Sequence, residues 1–372
     1  MQTYELTLKS DVFKTFRCIK AANSLDIDVE KKSIHHLKIN ADIESDYKIG
    51  MIVGSSGSGK TTLAKHIFGD ACFDLKIDDN LSILDLLPKE LSYEECANLL
   101  AGIGLTSVPC WIRPLKTLSN GQRARAEAVL LMIKNEKISI IDEWTSVVDR
   151  TVAKSMSVCI NKFSKKNNKR IILLSCHYDI IDWVDPDWII DCNKQEFIDR
   201  RSLSQSERKR TERLQFDIKE IGRESWKYFN KYHYLSEKLP GGTIYLFGLF
   251  HGQNQIGFQC FANYVMGIRN MYHSNRTVIH PDYVGLGLGV KLINETSKYM
   301  VDKYDYKIMA KFSSIPIKKA LEKSELWKLK STNRDLFKFK RPDGRVVETF
   351  RTQVKSYSFE FIYKKNLDLP PK

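Results

Sequence analysis

At 372 residues the chain is long enough for two domains of ordinary size, each with its own core. Hydrophobic residues make up 42%, and no run approaches the roughly 18 apolar residues of a membrane helix, so a membrane-spanning class is excluded. Net charge is +14, from 59 Lys+Arg against 45 Asp+Glu, which favours a polyanionic partner through counterion release over a merely solvated basic surface. Met1 to Leu6 has no basic stretch leading into an apolar one, so no signal peptide is expected and the expected location is cytoplasmic. The eight cysteines are scattered without a C-x-x-C pair and read as reduced core residues, not as a disulfide frame or zinc site.

Residues 1–50 alternate apolar and polar in short runs (Tyr4, Leu6; Phe13, Phe16, Cys18; Leu37, Ile39), the pattern of an antiparallel, strand-rich subdomain. Phe13 and Phe16 are candidates to stack on an adenine, although a core position is the commoner fate of such aromatics. Residues 47–53 then read as a buried strand and residues 62–68 as a helix. Between them runs G-S-S-G-S-G-K-T-T, which fits G-x-x-x-x-G-K-[ST] through Gly54, Gly59, Lys60 and Thr61. Glycines let successive backbone N–H groups turn toward one anion, a lysine reaches the β and γ phosphates, and a hydroxyl ligates Mg²⁺. The candidate ATP-binding residues are therefore Gly54, Ser55, Gly57, Ser58, Gly59, Lys60, Thr61 and Thr62, with Thr61 also a metal ligand.

Residues 69–80 have no periodicity, whereas 81–105 predict helix, most strongly over 90–100. Leu118-Ser119-Asn120-Gly121-Gln122 precedes a predicted helix over 123–132. Residues 138–141 form an apolar run ending in Asp142-Glu143; Ser146-Val-Val-Asp149 follows, and a second apolar strand from Ile171 ends near His177.

In this order the four stretches resemble the signature, Walker B strand, D-loop and switch strand of ABC-type ATPases, with Asn120 in place of the signature's first glycine. The resemblance implies a soluble P-loop ATPase with no membrane partner. Asp142 would hold the Mg²⁺ shell, Glu143 would polarise the attacking water, and His177 would bond the γ-phosphate. It further implies a head-to-tail homodimer, in which Ser119, Gly121, Gln122 and Asp149 act on the other subunit's ATP. Taken singly, an acidic pair at a strand end is often structural, and a histidine after a strand is more often a core residue. No glutamine lies between Thr62 and Gln122, so the Q-loop glutamine is absent, and Asp78 and Asp79 are the nearest groups for its metal-shell role.

Residues 200–213 are charged and poor in large apolar groups, and read as a linker or solvated helix. Beyond them the pattern changes. A short strand over 216–219, an aromatic-rich helix over 225–234, a hairpin over 246–262, a strand from Arg276 into a glycine-rich turn, and an amphipathic helix over 290–300 are predicted. A strand over 306–312, a helix opening near Pro316, and a closing hairpin about Pro342-Asp-Gly344 complete the chain.

This half resembles the GNAT acyltransferases, whose strand–loop–helix grips the pyrophosphate of acyl-CoA on backbone N–H groups. Gly287 and Gly289 match the motif's glycines, Gly285 adds a third, and Val284 replaces its Gln/Arg. The resemblance implies acyl-CoA, with acetyl-CoA the expected form, held by Val284, Gly285, Leu286, Gly287, Leu288 and Gly289. Tyr232-His233-Tyr234-Leu235-Ser236 with Pro240, Phe247-Gly248 and the Arg276 strand are also similar to Mom-like DNA-modification proteins of phages. That likeness implies an acceptor site at His233 and Tyr234, the histidine as general base and the tyrosine bonding or stacking on a base. Asp282, Tyr283, Ser313 and Ser314 are further polar candidates.

The fold class expected is α/β: a P-loop ABC-type ATPase domain over residues 1–199, a charged linker over 200–213, and a GNAT-like α/β acyltransferase domain over 214–372. The expected function is ATP-controlled acylation of a nucleic-acid base amine, DNA ahead of RNA. A protein or small-amine acceptor, and a non-catalytic GNAT-like binding module under an ATPase switch, remain as alternatives.

Overall fold

The structure, a computed structural model, describes residues 2–9, 13–24, 34–43, 46–69, 77–134, 138–204, 208, 215–233, 238–263, 270–332, 338–340, 346–348 and 356–363. The chain divides into two compact units, one of residues 1–88 and 102–212, the other of 89–101 and 213–372. Among the described residues no helix is long and apolar enough to cross a membrane.

In the first unit β1 (Gln2–Lys9) and β2 (Ile34–Ala41) pair antiparallel as a separate ribbon. The strands β3 (Ile49–Val53), β4 (Ile138–Ile141), β5 (Arg170–Ser175), β6 (Trp188–Asp191) and β7 (Glu196–Asp199) form one sheet in the order β4-β5-β3-β6-β7. All its pairs are parallel except β6 with β7. Every residue of β3 is buried, as a central parallel strand covered on both faces requires. Its core gathers on Trp188, whose ring meets Tyr47 edge-on at 5.4 Å and stacks with Phe68 at 6.4 Å. Gly50 makes room for that indole, since a Cβ there would lie 2.0 Å from Trp188 Cζ2.

The predicted helix over 81–105 is two pieces, Ile83–Leu86 and Tyr93–Gly102. Pro88 disfavours helix at the residue before it. The second piece begins in a capping box: the Glu95 carboxylate accepts from the Ser92 N–H, and Ser92 Oγ accepts from the Glu95 N–H. A long helix absent from the sequence reading, Arg150–Asn167, is started by Asp149 and ended by Asn168 in the left-handed conformation. Phe13 and Phe16 are not core aromatics: they stand 76% and 81% exposed. Within the charged stretch, Arg200 is buried beside Asp185, and Arg208 donates to the Arg200 carbonyl and to Asp185.

The second unit is built on a seven-stranded sheet. Its strands are β8 (Asp217–Glu220), β9 (Ile244–His251), β10 (Asn254–Asn263), β11 (Met271–Ile279), β12 (Lys307–Phe312), β13 (Trp327–Thr332) and, after the small hairpin β14 (Lys338–Lys340)–β15 (Val346–Glu348), β16 (Tyr357–Phe361). The order is β13-β16-β12-β11-β10-β9-β8, and only β11 with β12 is parallel. A parallel pair needs a crossover, supplied here by the helix Leu288–Tyr304. The predicted aromatic helix is broken into a short turn, Trp226–Phe229, flanked by 3₁₀ turns. Trp226 and Phe229 pack on Phe258 from one sheet face, while Leu288 and Leu292 pack on Leu249 from the other. The predicted turn at Pro342-Asp-Gly344 lies outside the described residues.

Candidate functional site

The carboxyl ends of β3, β4 and β5 lie side by side with β5 in the middle. The P-loop after β3 and the acidic pair after β4 are therefore two strand spacings apart, about 10 Å, a gap wide enough for a triphosphate end and a water. Gly54, Gly57 and Gly59 all have positive φ. At Gly59 the requirement is double, because its φ is +89° and a Cβ would lie 2.4 Å from Leu8 Cδ1. Gly59 then caps the helix Lys60–Phe68, whose first turn carries no acidic residue. The Lys60 side chain folds back over the loop and donates to the carbonyls of Gly54 (2.9 Å) and Ser55 (2.8 Å). Ser55 N–H and Oγ donate to Asn193 Oδ1, whose amide reaches Tyr178 OH, itself donating to Asp191. Burial, then the Asp191 contact, push the Tyr178 phenol up to about 12, so it stays a neutral donor. Gly57 and Ser58 complete the loop, Ser58 buried, and Thr62 stands exposed in the helix's first turn.

Thr61 Oγ1 donates to Asp142 Oδ2 at 2.8 Å, which joins the P-loop helix to the end of β4. A hydroxyl and a carboxylate oxygen in contact are a hard, oxygen-only donor pair that fits Mg²⁺. Asp142 Oδ1 accepts the Glu143 N–H. Glu143 is exposed, sits at φ 49°, and accepts from Ser146 Oγ at 2.5 Å. Trp144 locks the turn beneath it: its N–H bonds the Leu174 carbonyl, its indole bonds Ser157, and its carbonyl accepts from Ser175 Oγ. The same Ser175 hydroxyl accepts the His177 N–H, so the half-buried His177 leaves the end of β5 beside the acidic turn.

Ser119 and Gln122 form a capping box at the start of the helix Asn120–Lys134: Gln122 Oε1 accepts the Ser119 N–H and Ser119 Oγ accepts the Gln122 N–H. Gly121 lies against Val152, where a Cβ would approach to 3.0 Å. Asp149 Oδ1 accepts from the N–H groups of Thr151 and Val152. Asp79 is engaged by Arg123 and Asp78 by Asn80, and neither carboxylate bonds Thr61 or Asp142. Cys96, Cys110, Cys159, Cys192 and Cys260 are buried, and no cluster of three or more His, Cys, Asp or Glu among the described residues forms a metal centre.

In the second unit β11 pairs with β12 only from Met271 to Ser274, after which the two strands separate. At that point β11 carries one extra residue, Asn275, because Cys260 faces Arg276 and Phe261 faces Ser274. On one side Asn275 Nδ2 meets His273 Nε2 at 3.1 Å, and Asn275 Oδ1 accepts from Arg276 at 2.7 Å. Elsewhere along these two strands Gln259, Ser274 and Thr277 form a closed polar triangle. His233 lies next to Trp226 at 5.9 Å. Tyr234 falls outside the described residues. Its neighbour Tyr232 reaches His280 Nε2 at 3.2 Å, and His280 Nδ1 faces Asp282 at 3.4 Å. Ser314 starts the helix Ile315–Glu322 without a side-chain cap.

The turn Pro281–Tyr283 leads through Val284, Gly285 (φ 89°), Leu286 and Gly287 (φ 80°) into the helix Leu288–Tyr304. A Cβ on Gly287 would meet nothing within 4 Å, so the glycine serves the backbone turn and the loop faces open space. Leu288 is buried beneath it, Gly289 follows, and no acidic side chain stands in the first turn. An open loop of N–H groups at a helix start fits the pyrophosphate of acyl-CoA.

Burial, and then the charge of Arg276, push the His233 imidazole down to about 4. The unfolded chain, with histidine near 6.5, takes up this proton first. The second unit therefore loses stability as pH falls from about 6.5 toward 4 and is unaffected by this group above that window. His233→Asn should flatten the fall of the thermal midpoint with pH in this window; an unchanged slope would contradict the burial of a neutral imidazole.

Sequence reasoning missed Asn193, Trp144 and the bulge at Asn275. The one visible signal was Gln259, a polar residue inside the apolar run of β10.

No family model matches the chain. Among curated proteins it is 27% identical over 177 residues to ATP-binding cassette sub-family F member 3 of Mus musculus, covering 40% of this chain and spanning 24% of that protein's length. It is 23% identical over 230 residues to the probable ATP-dependent transporter ycf16 of Antithamnion sp., 49% of this chain and 90% of that one. Among solved structures it is similar to the dimeric ATP-binding cassette MJ0796 (18% identity, TM-score 0.32, 43% of this chain and 88% of that one). It is also similar to the ribosomal-protein-S18-alanine N-acetyltransferase from Escherichia coli (15%, TM-score 0.31, 42% and 99%). The sheet orders of the two units agree with the ABC-ATPase-like and GNAT-like α/β folds expected from the sequence.

Proposed function

We propose that the first unit binds and hydrolyses ATP, and that the second transfers an acyl group from acyl-CoA, acetyl-CoA first, to an amine on a nucleic acid, DNA ahead of RNA. The observation that carries the ATPase reading is the 2.8 Å contact of Thr61 with Asp142 below the P-loop. Mg²⁺ held there would offset charge developing on the phosphates. Lys60 exchanges its two carbonyl partners for β and γ oxygens, Glu143 leaves Ser146 to orient the attacking water, and His177 bonds the γ-phosphate. Ser119, Gly121, Gln122 and Asp149 complete the site across a head-to-tail homodimer.

On the second unit, the parting of β11 from β12 beyond Ser274 supports a cleft for the thioester arm, with the pyrophosphate on the 284–289 turn. The acceptor nitrogen attacks the thioester carbonyl, the C–N bond forms, the C–S bond breaks, and the proton lost by the amine ends on the thiolate. His233 and Tyr234 are assigned to the acceptor side. The charge of +14 supports a polyanionic acceptor.

The test is the ATP turnover of the purified chain with DNA, RNA or neither, beside transfer of labelled acetyl groups to each. Stimulation and labelling with DNA above RNA support the reading. Labelling of a peptide or small amine, with turnover indifferent to both polymers, contradicts the nucleic-acid acceptor.

A further inference from the structure

The segment 77–82, where the chain supplies no glutamine, is joined to the signature helix by a fork. Arg123 Nη1 donates to Asp79 Oδ2 at 3.0 Å and Nη2 to Oδ1 at 2.9 Å. Arg123 Nε donates to Glu127 Oε1 at 2.7 Å, one turn further along. The same segment is tied by its backbone: the Lys116 N–H bonds the Asp79 carbonyl at 3.1 Å, the Leu115 N–H bonds the Leu81 carbonyl at 3.0 Å, and Ser82 bridges Pro114. Lys116 Nζ adds a bond to Asn80 Oδ1 at 2.7 Å. Asp78 Oδ1 in turn accepts from the Asn80 backbone and side chain.

Both oxygens of Asp79 are thus spent on one guanidinium. A planar fork on a carboxylate fixes direction as well as distance, which a lysine in its place would not. Arg123 directly follows Gln122 and stands in the first turn of the helix that begins at Asn120. The orientation of that helix end passes through Asp79. The two side chains are 35% and 43% exposed. Pairs exposed to this degree add little to global stability, so the fork acts on geometry and not on whether the unit folds.

We propose that Asp79, Arg123 and Glu127 form a positioning clamp that holds the signature helix so that Ser119 and Gly121 meet the γ-phosphate of ATP bound by a second copy of the chain. The proposal rests on the ATPase reading above. It assigns Asp79 away from the metal shell and gives it a role carried through Arg123.

The test compares Asp79→Ala, Arg123→Ala and the double variant in the full chain. ATP turnover is measured, together with ATP-dependent self-association in a Glu143→Gln background. Each single change should lower kcat about tenfold and leave KM within about twofold, and the double should lose no more than either single, as for two residues sharing one interaction. Asp79→Glu, which keeps a fork, should recover most of the rate, and thermal midpoints should match the parent's. Variants that turn over like the parent, or losses that multiply in the double, overturn the clamp. A parent that neither hydrolyses ATP nor associates with it overturns the ATPase reading and the clamp with it, a result distinct from the first.

Discussion

Glu143→Gln should lower kcat for ATP by roughly 10²- to 10³-fold while leaving ATP affinity within about twofold, because the carboxylate is asked to act on the water and not on the nucleotide. The geometry supports the separation. Lys60 and Thr61 sit on the P-loop helix, whereas Glu143 stands on the next turn after β4, with its carboxylate on Ser146. Glutamine is isosteric and can still accept from Ser146, so the turn pinned by Trp144 should survive. The check is steady-state hydrolysis alongside equilibrium binding of ATP to both proteins. Turnover in Glu143→Gln within a few-fold of the parent would remove Glu143 from the role. Lost binding would mean that the turn after β4 shapes the nucleotide pocket instead.

Gly287→Val should abolish measurable acetyl-CoA binding, a loss of at least about tenfold. A left-handed conformation costs an ordinary residue roughly 1–2 kcal/mol, and a β-branched residue more. Gly287 holds φ 80° at the cap of the helix Leu288–Tyr304. Any rearrangement that relieves φ there turns the loop's N–H groups away from a common anion. The space beside Gly287 is open, so the side chain would also stand where a ligand approaches. Titration with acetyl-CoA checks this, with circular dichroism to establish that the second unit remains folded. A folded Gly287→Val protein that binds acetyl-CoA like the parent would place the cofactor elsewhere.

The placement of the first unit's motifs was legible because each is a residue type demanded at a strand end. Gly59, Lys60 and Thr61, then Asp142 and Glu143, had to fall at the carboxyl edge of a parallel sheet, and they do. The elements of the second unit were legible through β12, the helix Ile315–Glu322 and the closing hairpin, which is β14–β15. The strand β13 escaped because it is an edge strand exposed at every residue after Trp327, which leaves no alternation to read, whereas β16 carries a readable period-two signal in Tyr357, Phe359 and Phe361. The single helix expected over 81–105 failed at Pro88, where the backbone preference of the preceding residue outweighs apolar spacing. The contacts that assemble each site are mostly long-range. Asn193 reaches Ser55, 138 residues away, and Arg123 reaches Asp79 across 44. No local pattern encodes such pairs. His233 could be named from sequence as a candidate base, yet its depressed pKa follows from burial and then from Arg276, which only the fold reveals.

The central claim is that one chain carries two ligand sites of different chemistry. It is tested most directly by titrating the parent, Lys60→Ala and Gly287→Val with Mg-ATP and with acetyl-CoA. The account predicts that the parent binds both, one of each per chain, that Lys60→Ala loses only ATP, and that Gly287→Val loses only acetyl-CoA. A folded parent that binds one ligand and not the other, or neither, would contradict it.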